Sequence, residues 1–317
     1  MNKKVLVLGG TGAMGSYLVP KLVARGYEVD AVTLDKVESN APNLKYIRTD
    51  AMDIDNARKI IGQGYDGIVD FMMYHTSEFL DRQQMLLGNT DHYIFLSSYR
   101  VFDDSEIPTK ETSPQLLDTS RDTKFLESDD YTLFKAREER VIRTRNYSNY
   151  TIVRPAITYS KKRAQLVTLE REHMLPYIKS GKSIPLPEAA KDVQGTMTWA
   201  GDVAEMFARL LFNEEAKCND FNVTTSEHHS WDEIAGYYKD IFGLNYHYVS
   251  EEEYVKFRCA GDESKYNEIL WQLRYDRLLN RVMDNEKVLK ATHLKQSDLT
   301  TLYEGLKREK DTILGRG

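Results

Sequence analysis

The chain has 317 residues, of which 41% are hydrophobic, and its 43 Lys and Arg stand against 49 Asp and Glu for a net charge of −6. No apolar run approaches the roughly 18 residues of a membrane span, and the acidic balance argues against nucleic acid, which needs a concentrated basic face. The two cysteines, Cys218 and Cys259, lack metal-ligand spacing and are too few for a disulfide framework, so both are expected to be reduced.

The N-terminus imitates a signal peptide, because Lys3 and Lys4 precede an apolar run, but that run of four residues stops at Gly9-Gly10. Residues 5–8 therefore read as the first strand of a cytoplasmic protein. Gly9, Gly12 and Gly15 follow at spacing three, with Thr11, Ala13 and Met14 between them, and a helix begins at Ser16. Glycines at these positions let a pyrophosphate approach the backbone, and the N–H groups and dipole of the helix start favour that anion. The pattern is G-x-x-G-x-x-G, a variant of the usual dinucleotide fingerprint.

Alternating apolar and helical stretches then predict a parallel sheet covered on both faces: helix 16–25, strands 28–34 and 45–48, helix 55–62, strands 67–73 and 93–96, helix 131–144 and strand 151–154. From Ser160 prolines 176, 185 and 187 break the rhythm, while residues 196–199 and 220–224 read as late strands returning to the sheet. Beyond Trp231 the sequence is mainly helical, aromatic-rich and charged. The expected fold class is α/β, a doubly wound parallel sheet (Rossmann-like) with a smaller, mainly helical C-terminal substrate lobe. Residues 1–160, with 196–225 returning to them, form the dinucleotide-binding domain; 161–195 and 226–317 form the lobe. The aromatic set Trp231, Tyr237, Tyr238, Phe242, Tyr246 and Tyr248 reads as lobe core, Glu251-Glu252-Glu253 as a helix start, and the tail from Leu306 as frayed at its end.

Hydride transfer to or from an alcohol or ketone needs a proton donor and acceptor near the oxygen. Tyr131 and Lys135, at i and i+4, share a helix face, where the ammonium favours the phenolate. The same spacing recurs at Tyr17/Lys21 and Tyr303/Lys307, but only Tyr131 follows the fifth strand. That strand ends in Ser97-Ser98, and the Ser98 hydroxyl at its carboxyl end can hydrogen-bond a substrate oxygen.

The order Gly9/Gly12/Gly15, Ser98, Tyr131/Lys135, Arg154-Pro155 resembles an extended short-chain dehydrogenase/reductase, nearest to the NAD-dependent epimerase/dehydratase family; Asp202-Val203-Ala204 and Phe221-Asn222-Val223 extend the likeness through nearly the whole chain. The resemblance implies that Tyr131 is the general acid/base, that Lys135 lowers its pKa and holds the nicotinamide ribose, and that Ser98 polarises the carbonyl. It places Thr11, Ala13 and Met14 of the glycine turn, Asp50 and Ala51, Phe71, Met72 and Met73, and Pro155 against the cofactor. Asp35, 20 residues past Gly15, is the candidate acid for the adenosine ribose, which favours NAD. Family members more often carry that acid where this chain has Thr33, so NADP stays open. Asp50 has an alternative reading as cap of the following helix, and His75 reads as a loop histidine.

Departures bear on the substrate. Tyr99 and Arg100 replace the acidic pair of the family's dehydratases, which disfavours dehydration. Gly195 stands where epimerases of UDP-sugars carry a diphosphate-clamping arginine; Lys161, Lys162 and Arg163 are candidate substitutes or a solvated basic turn. The expected activity is NAD(P)-dependent oxidation–reduction of a small molecule, a sugar nucleotide, by an epimerase. A deoxysugar-nucleotide 4-ketoreductase is the alternative, because Val101-Phe102-Asp103-Asp104 resembles that group. A non-catalytic relative that senses dinucleotides or binds RNA is a further one. By the same resemblance a homodimer is expected.

Overall fold

The computed structural model describes residues 2–39 and 41–316. Its centre is a seven-stranded, wholly parallel sheet. Six of its strands are β1 (Lys4–Leu8), β2 (Glu28–Thr33), β3 (Leu44–Arg48), β4 (Gly67–Asp70), β5 (His92–Leu96) and β6 (Tyr150–Pro155). The spatial order is Asn219–Val223, β6, β5, β4, β1, β2, β3. The chain thus winds outward in both directions from β1, and the crevice at the carboxyl ends beside β1 and β4 is where such sheets bind ligands.

Alternation along each strand feeds two cores. Val5 and Val7 of β1, with Ile94 and Leu96 of β5, pack under α1 (Gly15–Ala24) and the helix Ala200–Leu210. Leu6 and Leu8, with Tyr93 and Phe95, pack under α2 (Ile54–Ile61), α3 (Thr76–Gly88) and the helix Tyr131–Thr144.

In the glycine turn the N–H groups of Gly9 and Gly10 both donate to the Val32 carbonyl, at 3.1 and 2.9 Å. Gly9 has φ +82°, and a Cβ on Gly15 would lie 2.8 Å from the carbonyl carbon of Gly10, so glycine is what lets α1 seat on the turn. A Cβ on Gly12 would meet only the Gly9 carbonyl oxygen, and its other side is open.

Several expectations change. β4 ends at Asp70 rather than residue 73, because the Asp70 carboxylate accepts the Met72 N–H at 2.9 Å and turns the chain. α2 is capped by Asp53, which accepts from the N–H groups of Asp55 and Asn56, and not by Asp50. The helix α3 has a mixed polar pattern that gave no sequence signal. Of the two late strands, Asn219–Val223 joins the large sheet beside β6. Met197–Trp199 does not: it pairs with Ile157–Tyr159 in a separate two-stranded ladder. The segment beyond Pro155 has left the large sheet and carries this second strand away with it.

The smaller lobe packs the helices Arg171–Ser180, Trp231–Phe242 and Glu251–Cys259 against a parallel pair formed by Ser183–Pro187 and Asn245–Val249. Trp231, Tyr238 and Phe242 are in its core, with Tyr237, Tyr246 and Tyr248 on its flank. Glu251 opens a helix that Ser250 caps. The C-terminal segment is helical over Leu302–Ile313, with Leu306 and Ile313 buried; Gly317, at the end read as frayed, lies outside the described residues. No helix among the described residues is long and apolar enough to cross a membrane.

Candidate active site

A cavity of about 690 Å³ opens at the carboxyl ends of the strands and is lined by both Ser98 and Tyr131. Ser98 follows β5 and caps a short 3₁₀ turn, its Oγ accepting the Arg100 N–H at 3.2 Å. Tyr131 is the first residue of its helix, which Asp130 caps by accepting the Thr132 N–H at 2.9 Å. The ring lies edge-on to Phe134, and the Arg100 guanidinium is 5.0 Å from its centroid. The other two Tyr/Lys pairs are committed elsewhere: Tyr17 donates to Glu309 at 2.7 Å, and Tyr303 donates to Asp240.

Lys135 is placed differently from these two. Its side chain is fully buried, does not line the cavity, and its Nζ lies 2.9 Å from Glu138 Oε2, which is equally enclosed. Burial pushes the Glu138 carboxyl up to about 7 even though the Lys135 charge opposes the rise. Close behind, burial also raises the Asp70 carboxyl, against hydrogen bonds from the Met72 N–H and the Tyr93 hydroxyl.

Glu139, one residue further, links three segments that carry site residues. It accepts from Ser97 Oγ at 2.5 Å and from Arg154 Nε and Nη2, both at 2.7 Å. Burial alone would raise this carboxyl; the Arg154 charge and hydrogen bonds outweigh burial and hold it below the usual range. The signal was present in the sequence, since an arginine within a buried apolar strand needs an acid partner.

On the cofactor side, Thr11 Oγ1 donates to Asp35 Oδ2 at 2.7 Å and lies 2.5 Å from Thr33 Oγ1. Lys162 Nζ donates to the Thr11 carbonyl at 2.8 Å and sits 3.5 Å from Asp35. The Thr11 hydrogen bond, then the Lys162 charge, hold Asp35 below the usual carboxylate range. Met14, Met73 and Pro155 line the cavity. Phe71 instead packs against Phe207, with ring centroids 5.4 Å apart, and Met72 flanks the other core. Asp50 is exposed and accepts the Met52 N–H, while Ala51 is buried. Ser16 Oγ, at the start of α1, is buried without a hydrogen-bond partner among the described residues. The open face of Gly12, this orphaned hydroxyl and the acid at the end of β2 fit a dinucleotide.

Two residues for which the sequence offered a bland reading, His75 as a loop histidine and Arg163 as part of a solvated basic turn, line the cavity. His75 caps α3, reaches Asp129 through Nδ1 at 3.0 Å, and borders the cavity. The basic run divides: Lys161 lies over the Tyr17 ring, Lys162 reaches the glycine turn, and only Arg163 lines the cavity. Beneath the cavity Asp276 is wholly buried and takes hydrogen bonds from Tyr99 and Arg277. Burial pushes its carboxyl up, but the charges of Arg277, Arg100 and Arg281 together hold it down.

Comparison with known proteins bears on the fold and the family. A family model described as NAD(P)H-binding matches residues 9–214. The chloroplast stem-loop binding protein of 41 kDa b from Arabidopsis thaliana is 23% identical over 249 residues, 74% of this chain; the match spans 62% of that relative's length. Among solved structures, an epimerase from Methanothermobacter thermautotrophicus gives a TM-score of 0.73 at 14% identity, over 99% of this chain and 93% of that one. The UDP-glucose 4-epimerase of Thermotoga maritima, solved with UDP-glucose, gives 0.70 at 16% identity over 98% of both chains. That of Thermus thermophilus, in complex with NAD, gives 0.68 at 17% identity over 99% of this chain and 100% of that one. The chain is NAD(P)-binding, has the fold of the extended short-chain dehydrogenase/reductases, and belongs to the NAD(P)H-binding family.

Proposed function

We propose that the protein is an epimerase of a sugar nucleotide that works by transient oxidation, with Ser98, Tyr131 and Lys135 as its catalytic set. The observation that carries this reading is that Ser98 and Tyr131 line one cavity, which Met14 of the glycine turn also borders. Tyr131 accepts the proton of the substrate hydroxyl and returns it to the ketone oxygen, while Ser98 donates a hydrogen bond to that oxygen. Lys135, one helical turn on and enclosed with Glu138, supplies positive charge behind the tyrosine. When bound, the nicotinamide supplies the reversible hydride acceptor. Asp35, with Thr11, favours the free ribose hydroxyls of NAD over a 2′-phosphate. The smaller lobe holds the substrate, and the protein acts as a cytoplasmic homodimer.

The test is incubation of the purified, cofactor-loaded protein with UDP-glucose, UDP-galactose and UDP-glucuronate. The expected result is a second sugar epimer, no net change in nicotinamide absorbance, and loss of conversion in Tyr131→Phe. Stoichiometric oxidation of added NADPH with a 4-keto sugar nucleotide would establish the reductase instead. The similarity to a stem-loop binding protein favours a second, non-catalytic reading. Salt-sensitive binding of a labelled stem-loop RNA, with no conversion of any sugar nucleotide, would establish that one.

A further inference from the structure

Arg100 lines the cavity together with Ser98 and Tyr131, its side chain only 12% exposed. Its Nε and Nη2 are buried, and neither has a hydrogen-bond partner among the described residues. Two carboxylates stand near, Asp276 at 3.3 Å and Asp130 at 3.5 Å, without hydrogen-bond geometry. Both are already committed. Asp130 Oδ1 caps the Tyr131 helix through the Thr132 N–H. Asp276 is occupied by Tyr99 and Arg277, and Arg281 adds a further cation at 3.6 Å, so three guanidiniums share one carboxylate. A guanidinium taken out of water without acceptors is costly, whereas a planar, bidentate oxyanion satisfies it. The backbone N–H of the same residue donates to Ser98 Oγ, and its guanidinium, ion-paired but without a hydrogen-bond acceptor among the described residues, lies 5.0 Å from the centroid of the Tyr131 ring.

We propose that Arg100 docks an oxyanion carried by the substrate, within a side chain's reach of the C–O group handled by Ser98 and Tyr131. This rests on the assignment of those two hydroxyls to the reaction. Within the sugar nucleotides it selects a sugar bearing its own carboxylate, a uronic acid, over a neutral hexose. The diphosphate linker offers the same oxyanion chemistry from a second source, and the arms of the test separate them.

Calorimetry of the cofactor-loaded protein with UDP-glucuronate and UDP-glucose, in wild type, Arg100→Gln and Arg100→Lys, decides the matter. Thermal melts check that each variant is folded. The wild type is expected to bind UDP-glucuronate about tenfold more tightly than UDP-glucose, the worth of one charge-assisted contact. Arg100→Gln is expected to erase that preference and leave UDP-glucose unchanged, with Arg100→Lys recovering part of it. Equal weakening of both nucleotides by Arg100→Gln keeps the oxyanion site and assigns it to the diphosphate. Unchanged binding of both overturns the proposal. If neither nucleotide binds, the sugar-nucleotide reading fails and Arg100 is judged with glucuronate and inorganic phosphate alone. A melting rise in wild type that Arg100→Gln lacks upholds the site, and no difference between them overturns it.

Discussion

Lys135 Nζ and Glu138 Oε2 lie 2.9 Å apart with both side chains wholly enclosed, so each ion depends on the other for compensation. Removing one partner strands the other charge in the interior. Above about pH 7, where Glu138 is ionised, Glu138→Ala is expected to lower unfolding free energy by about 3–5 kcal/mol, as for other broken buried pairs. The double variant Lys135→Met/Glu138→Leu is expected to recover much of that loss in urea unfolding while remaining poorly active.

The same carboxyl makes stability depend on pH. Burial raises Glu138 to about 7 from 4.5, so between those values the folded state holds a proton that the unfolded chain releases. Its contribution is full below about 4.5 and is lost as pH rises through about 7. His92 works the other way. Burial first, then the Lys217 charge, push its imidazole down to about 4 from 6.5, so its contribution is full above 6.5 and is lost as pH falls through about 4. The clean measurement is the melting-temperature difference between wild type and Glu138→Gln across pH 4.5 to 7. The wild-type value minus that of Glu138→Gln is expected to fall as pH rises, and a constant difference would refute the assignment.

Gly15 and Gly12 are expected to respond differently to a methyl group. In Gly15→Ala the Cβ would lie 2.8 Å from backbone that cannot move without unseating α1, so both melting temperature and NAD affinity fall. In Gly12→Ala the Cβ points into open space apart from a contact of 3.3 Å, so the fold survives and only dinucleotide affinity falls. Parallel melts and NAD titrations read the contrast.

Tyr131→Phe removes a hydroxyl from the cavity while leaving the ring against Phe134. Turnover is expected to drop by about 10²–10⁴, the range of a lost general acid/base, with NAD affinity unchanged. Ser98→Ala is expected to lower turnover as well. An active Tyr131→Phe enzyme would remove the tyrosine from the mechanism.

Asp35→Asn removes the charge that Thr11 and Lys162 now balance. It is expected to weaken NAD and strengthen NADP binding, because Lys162 is then free to meet a 2′-phosphate. Competitive titration of the two dinucleotides checks the direction.

The large sheet and the first glycine turn were legible because they rest on local patterns: apolar runs, a three-residue glycine spacing and helix periodicity. The Tyr131 helix was read with its ends correct for the same reason. What escaped depends on pairings between distant residues. Nothing in 196–199 announces that its partner is Ile157–Tyr159 rather than the large sheet. The i, i+4 rule pointed Lys135 at the tyrosine, and the structure pairs its ammonium with the acid at i+3. Arg100 read only as a departure from a motif, since its lack of acceptors emerges once Asp130 and Asp276 are in place and already engaged.

Glu139 is 1% exposed and is absent from the cavity lining, yet its one carboxylate grips the residue before Ser98, the residue before Pro155 and the helix that begins at Tyr131. The spacing between the Ser98 and Tyr131 hydroxyls, the pair proposed to react, therefore depends on a group outside the cavity lining. Under the proposed mechanism a lesion at that point is expected to alter alignment rather than reactivity: ligands still dock, and conversion slows because the atoms meet at the wrong distance.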